Sequence, residues 1–205
     1  MTLATPDRPT QADRRLRTRS ALLESAARGL SRDGYANLVL ERVASEAGYT
    51  RGALYHLFAN KEELALAVVA WVEETWYAQM GPLFADDADP VAAIVAVAQG
   101  HAVYCRRDIA RSMMTLRVEF SGQNHPVAQA VERGGSRIVA DCTRLIAAGR
   151  RTGAIPPGPP PRVTAAALLG AIEGLVITLA DKAPFDVQFA ERLVLGILGL
   201  PASPR

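Results

Sequence analysis

Several things are scarce or missing in this chain of 205 residues, and each absence closes a route. No apolar run approaches the length expected of a bilayer-spanning helix, although 49% of the residues are apolar. Cysteine occurs only as Cys105 and Cys142, far apart and without a CxxC pair, so two buried, reduced thiols are expected. The three histidines (His56, His101, His125) form no HExxH, and there is neither a Gly-rich phosphate loop nor a GxSxG. No catalytic residue, metal site or cofactor is therefore nominated. Hairpin turns and alternating β-branched strands are lacking, and no internal repeat is evident. The opening MTLATPDRPTQADRRLRTR is polar and has no apolar centre, unlike a secretory leader. The expectation is a cytoplasmic protein with no membrane partner.

What is present is helical. Apolar positions recur at three- and four-residue spacing from about Arg14 to Arg32, with Gly34 as the stop. Further helices are expected over Lys61–Met80 (capped by Asn60), from Pro90 to near Cys105 (capped by Asp89), and over Ile109–Phe120 (capped by Asp108). A long helix follows from Pro126 to Thr152. GAIPPGPPP (153–161) reads as an extended, semi-rigid connector, and two last helices span about Arg162–Ala180 and Phe185–Leu198. The fold class is all-α with about nine helices. Its expected parts are a disordered basic arm over 1–13, a small three-helix unit over 14–64, and a larger helical body over 65–205.

The overall charge of +2 hides an asymmetry, since residues 1–62 carry a net +3 and the remainder −1. Arg14, Arg15, Arg17 and Arg19 crowd together just before the first helical pattern, as a phosphate backbone would require. The most specific spacing lies in LERVASEAGYTRGALYHLFANKEE (40–63). Leu40, Val43, Ala44 and Ala47 make a short apolar stripe, Gly48 supplies the turn, Thr50 caps a second helix and Leu54 packs back on the first. The second helix of such a pair enters the major groove by its N-terminal end.

Gly34-Tyr35, Val43-Ala44-Ser45-Glu46-Ala47-Gly48, Arg51-Gly52-Ala53-Leu54-Tyr55-His56-Leu57-Phe58 and Asn60-Lys61-Glu62-Glu63-Leu64 together resemble the DNA-binding domain of TetR-family transcriptional regulators over about residues 14–64. The resemblance implies a homodimeric repressor on palindromic double-stranded operator DNA, paired through its last two helices and released by a small-molecule effector. It further implies that Thr50, Arg51, Gly52 and Ala53 face base edges while Tyr55, His56 and Lys61 hold phosphate. The chemistry agrees, because a guanidinium at Arg51 can pair bidentately with guanine O6 and N7. Departures are Leu38-Val39 where the family places a capping Thr or Ser, Gly29 in place of a larger apolar residue, and Tyr49 in the turn. Either Asn37 caps the second helix or it begins uncapped.

In the body, bulky and adaptable side chains concentrate between about Trp71 and Phe120. Candidate cavity residues are Trp71, Trp76, Met80, His101, Tyr104, Met113, Arg117 and Phe120, with Glu119, Asn124 and Thr143 as further polar groups that could orient a ligand. An apolar or aromatic effector with one polar group is expected. Ala166, Ala167, Gly170, Ala171 and Gly174 form a small-residue face for close helix approach, and the last helix offers Phe189, Leu193, Leu195, Ile197 and Leu198. A regulator that senses no ligand, an activator, and a helical adaptor without DNA binding remain as alternatives.

Overall fold

The computed structural model describes residues 10–85 and 88–201, and among them every regular element is a helix. Helix α1 (Gln11–Asp33) starts three residues earlier than expected. The Thr10 hydroxyl accepts the Asp13 N–H at 3.1 Å while the Asp13 carboxylate accepts the Thr10 N–H at 2.9 Å. That reciprocal cap draws residues 11–13 into the helix, so the arm expected over 1–13 is corrected there. Its first nine residues lie outside the described ones.

Helices α2 (Leu40–Glu46) and α3 (Arg51–Leu57) form the helix-turn-helix. Gly48 adopts φ 78°, a conformation that costs an L side chain, and the Tyr49 N–H reaches back to the Ala44 carbonyl at 2.9 Å. Thr50 caps α3 by accepting the Ala53 N–H at 3.2 Å, and Leu54 is fully buried against Val43, Ala44 and the Leu22–Leu30 face of α1. α2 begins uncapped, because the Asn37 amide donates to the Asp33 carbonyl instead. The missing cap costs about 1 kcal/mol. The buried Ser25 hydroxyl offsets it by donating to the Val43 carbonyl at 2.9 Å, tying α1 to α2. Gly29 also has a structural reason: a methyl there would come within 2.7 Å of Leu38 Cδ1.

The body comprises α4 (Lys61–Met80), a 3-10 turn (Gly81–Phe84), α5 (Pro90–Tyr104), α6 (Asp108–Glu119), α7 (Pro126–Thr152), α8 (Pro161–Leu179) and α9 (Phe185–Leu198). Asn60 and Asp89 cap α4 and α5 as expected, accepting Glu63 N–H and Ala92 N–H at 2.8 and 2.7 Å. Asp108 does not cap α6. It is the first helical residue, after Arg107, and pairs with Arg111 at 3.8 Å. α5, α7, α8 and α9 pack together, α4 crosses α7, and α6 lies along α1, so it touches both halves of the chain. The fully buried Asp186 carboxylate receives Arg106 at 2.7 and 2.9 Å, and that guanidinium holds its pKa below the usual carboxylate value.

Two expectations are revised. The connector between α7 and α8 is more than a spacer: Ile155 is buried, its N–H donates to the Gly149 carbonyl at 3.1 Å, and its side chain occupies the space a methyl at Gly149 would need. And α8, 19 residues with a mean hydropathy of 1.6, is long and apolar enough to cross a bilayer by length and composition. Short residues and Gly interrupt its bulk, which is why no apolar run stood out. One face packs on α7 and α9; Val163, Ala166, Gly170, Gly174 and Ile177 face outward.

Candidate functional site

Two regions combine exposure with chemistry. The first is the N-terminal end of α3. Leu54 and Phe58 are buried, which fixes the rotation of the helix and turns Thr50, Arg51, Gly52, Tyr55 and His56 outward together. Ala53 is half-buried between them. Arg51 is already oriented, paired with Glu41 at 3.0 Å and lying 5.2 Å from the Tyr55 ring centroid. Lys61 is less free than the sequence suggested. Its ammonium donates to the Ala36 carbonyl at 2.9 Å and sits 4.8 Å from the centre of the Tyr35 ring. Arg14, Arg15, Arg17 and Arg19 are exposed on the first turns of α1, and the Arg19 guanidinium lies 5.9 Å from the Phe58 ring of α3. The basic stripe therefore continues toward the reading helix.

The second region is a mainly apolar cavity of about 180 Å³, open at one side, between α4, α5, α6, α7 and α8. Of the expected lining residues Trp76, His101, Tyr104, Met113 and Arg117 are there; Trp71, Met80 and Phe120 are not. Trp71 lies five residues before Trp76, a rotation of about 140° around the helix, and so faces away. Met80 is on the cavity side but a turn further along, buried over Gly100, where a methyl would meet its sulfur at 2.7 Å. Phe120, just past α6, stacks on His125 at 4.4 Å, with Tyr35 edge-on at 5.0 Å, sealing the junction beneath the helix-turn-helix. It borders instead a second, more polar cleft of about 500 Å³ that shares Arg117, Gly135 and Leu169 with the cavity.

Three polar candidates have other work. Asn124 accepts from Gln129, the Thr143 hydroxyl donates to the Val139 carbonyl, and Glu119 points out of the body altogether. Its carboxylate accepts the Tyr35 N–H at 2.5 Å and the Ala36 N–H at 2.7 Å. Tyr77 and Met114, part of the same concentration of bulky side chains, also line the wall, whereas the sequence expectation lacks Glu73 and Glu173. The signal for Glu73 was available in Gly134-Gly135, a glycine pair in the middle of a 27-residue helix, which marks a close approach.

The cavity's polar groups are mostly satisfied internally. The Trp76 indole N–H donates to His101 Nδ1 at 3.0 Å, which puts the imidazole proton on Nε2, 3.3 Å from Cys105 Sγ. Burial, reinforced by the Arg117 charge, lowers His101 to about 4, so it stays neutral. The Tyr104 hydroxyl contacts Thr75 at 2.7 Å, Tyr77 donates to Asp141 at 3.2 Å, and Arg117 pairs with Glu173. Cys105 and Cys142 are buried free thiols, with burial pushing each up to about 12.

Fold and site together define a helix-turn-helix protein with a cavity-bearing helical body. The model of the bacterial regulatory proteins of the tetR family matches residues 22–68, which contain the helix-turn-helix. The HTH-type transcriptional regulator CymR of Pseudomonas putida is 41% identical over 69 residues, 34% of either chain. The A-factor receptor protein of Streptomyces griseus is 25% identical over 179 residues, covering 85% of this chain and 60% of that one. The matches thus span about a third to three-fifths of the length of these relatives. The structure of SmeT, from Stenotrophomonas maltophilia, in complex with triclosan shares the fold, with a TM-score of 0.71 at 23% identity over 92% of this chain and 97% of that one. Residues 22–68 are thus similar to the DNA-binding part of the tetR family, and the described chain shares the fold of SmeT.

The depressed His101 pKa sets an acid limit on stability. The unfolded chain binds this proton near 6.5 and the folded chain only near 4, so stability present above pH 6.5 is lost as pH falls toward 4. Urea midpoints of wild type and His101→Gln should therefore diverge across that window, with the wild type falling faster. A difference independent of pH would contradict this.

Proposed function

We propose that the chain is a transcriptional repressor that binds palindromic operator DNA as a homodimer and lets go when a small, mainly apolar molecule fills its cavity. The observation that carries this reading is the convergence of two cavity helices on one peptide segment beside the reader. α6 carries Met113, Met114 and Arg117 in the cavity wall and ends in Glu119, which accepts the N–H groups of Tyr35 and Ala36. α4 carries Glu73, Trp76 and Tyr77 in the same wall and begins at Lys61, which donates to the carbonyl of Ala36. His125, at the start of α7, lies 3.5 Å from Glu62 at the same junction. A ligand that separates α4 from α6 acts on both attachments of this segment, and hence on the presentation of α3. That SmeT, which shares this fold, forms a complex with the small molecule triclosan supports the same use here.

On DNA, Thr50, Arg51, Gly52 and Ala53 read base edges and Tyr55, His56 and Lys61 hold phosphate. Glu41 competes with DNA for Arg51, so binding exchanges a surface ion pair, worth little in water, for a bidentate base contact. The arginines of α1 add phosphate contacts.

The second copy is argued from the unpartnered side of α8 and α9. Ile177 is 68% and Phe185 55% exposed. A methyl at Gly170, Gly174 or Gly196 would meet nothing within 4 Å, so these glycines relieve no crowding within their own chain. A small-residue face with flanking apolar side chains suits a four-helix contact with a second copy. This placement also accounts for the exposed apolar side of α8 without a membrane, in a cytoplasmic regulator with no catalytic role.

Two outcomes are expected. Arg51→Ala should lose about 1–3 kcal/mol of discrimination at one base pair per half-site, read by competition among operator variants, whereas uniform weakening on all sequences would make Arg51 a phosphate contact. Gly174→Phe should fold, convert the light-scattering mass to that of one chain and weaken operator binding. An unchanged dimer mass would contradict the assigned interface.

A further inference from the structure

Arg117 is held in place by one side of its guanidinium and left open on the other. Its Nη1 donates to Glu173, which ties α6 to α8. Nε and Nη2, the opposite edge, have no hydrogen-bond partner among the described residues. Neither atom is sealed off. The buried side-chain atoms without a partner among the described residues are Glu73 Oε1 and Arg150 Nε, and the Arg117 side chain is 38% exposed. α7 makes room for this edge, because a methyl at Gly135 would stand 3.1 Å from Nη2.

The group also stands at a boundary. Arg117 lines both the apolar cavity and the more polar cleft of about 500 Å³ beside it. On the cavity side lie Trp76, Met113 and Met114. On the cleft side Arg162 of α8 brings a second guanidinium, exposed and without an ion pair among the described residues. Glu132 is the one carboxylate in the cleft lining among the described residues, and it is exposed, so water weakens its repulsion of an anion. An anion at Arg117 keeps contact with water through the cleft, while an apolar body attached to it leaves water for the cavity. The charge is then recognised without the full cost of burying it.

We propose that the free edge of Arg117 is the recognition group for an effector that carries a carboxylate on an apolar body. A guanidinium edge matches the two oxygens of a carboxylate, and two parallel charge-assisted bonds fix its orientation. Glu173 stays on Nη1 and holds the fork in place. The apolar part lies in the cavity, where Met113 and Met114 adapt to its shape. Size agrees with a single ring on a short acid-bearing chain: a dry cavity of roughly 150 Å³ accepts benzene, and this one measures about 180 Å³. The site is also placed to act. Arg117 precedes Glu119 by two residues, so the bound carboxylate engages α6 beside its attachment to Tyr35 and Ala36. The proposal names the effector's class and so rests on the cavity being the regulatory site.

The test compares hydrocinnamate with its neutral amide and with phenylpropylamine, by calorimetry on the full chain, on Arg117→Gln and on Glu173→Gln. Paired hydrogen bonds between charged partners make hydrocinnamate bind about tenfold or more tighter than the amide to the wild type. The amine should bind weakest. Arg117→Gln should bring acid and amide close to equal, whereas Glu173→Gln should keep the preference for the acid, since the ligand uses the other edge. The wild-type ranking stands as a test even if a variant fails to fold. Equal binding of acid and amide, a preference for the amine, no binding by any of the three, an undiminished preference in Arg117→Gln or its loss in Glu173→Gln would overturn the proposal. Operator release, measured separately, distinguishes the two claims. Release by the amide as readily as by the acid refutes the carboxylate site and keeps the regulatory cavity. Selective binding of the acid without release keeps the site and refutes its regulatory role.

Discussion

The junction between the cavity-bearing body and the helix-turn-helix centres on one carboxylate. Glu119, the last residue of α6, accepts two backbone N–H groups just past the end of α1, and such charge-assisted bonds contribute roughly 1.5–3 kcal/mol each. The chain makes room for it. Gly34 turns at φ 75°, and a methyl there would stand 2.9 Å from Glu119 Oε2. The body thus touches the reader through a polar grip as well as through the apolar packing of α6 on α1. A polar grip with short distances has few arrangements, so a small shift of α6 breaks or keeps it rather than deforming it gradually.

The reading helix is built on the opposite plan. α3 has seven residues and one fully buried side chain, Leu54, backed by Phe58. That is enough to fix its rotation and leaves the other faces open to solvent. α2, uncapped, is held by the Ser25–Val43 bond and by Leu38 in the space that Gly29 provides. The polar, exposed surface that results suits phosphate and base edges. The body concentrates apolar surface instead, around a cavity where most polar groups are paired within the chain and one edge of Arg117 is left open.

The helix-turn-helix was legible because its determinants are local. Ala44, Gly48, Thr50 and Leu54 act within ten residues of one another, and turn, cap and packing follow from their spacing. Helix limits were legible where a capping side chain directly precedes the apolar-periodic run, as with Asn60 and Asp89. They failed where Thr10 and Asp13 capped each other further out and where Asp108 lay inside the helix. The cavity was half legible. Residue type suggested Trp76, His101, Tyr104, Met113 and Arg117, but which faces meet depends on helix crossings between distant segments. Trp71 and Met80 lie off this wall by rotation and by level, and Phe120 because it closes a different gap. Glu119 has no local sign at all: its partners are more than eighty residues away. The exposed face of α8 was visible as small residues, and the unoccupied space over Gly170 and Gly174 only in three dimensions.

The central claim is that filling the cavity loosens the grip of Glu119 on the segment beside the reader. Amide hydrogen exchange at Tyr35 and Ala36 reports on those two bonds directly. Both amides should be protected in the free protein and should lose protection when an effector that releases operator DNA is bound, while the core amides of α7 stay unchanged. Undiminished protection of Tyr35 and Ala36 with such an effector bound would contradict the account.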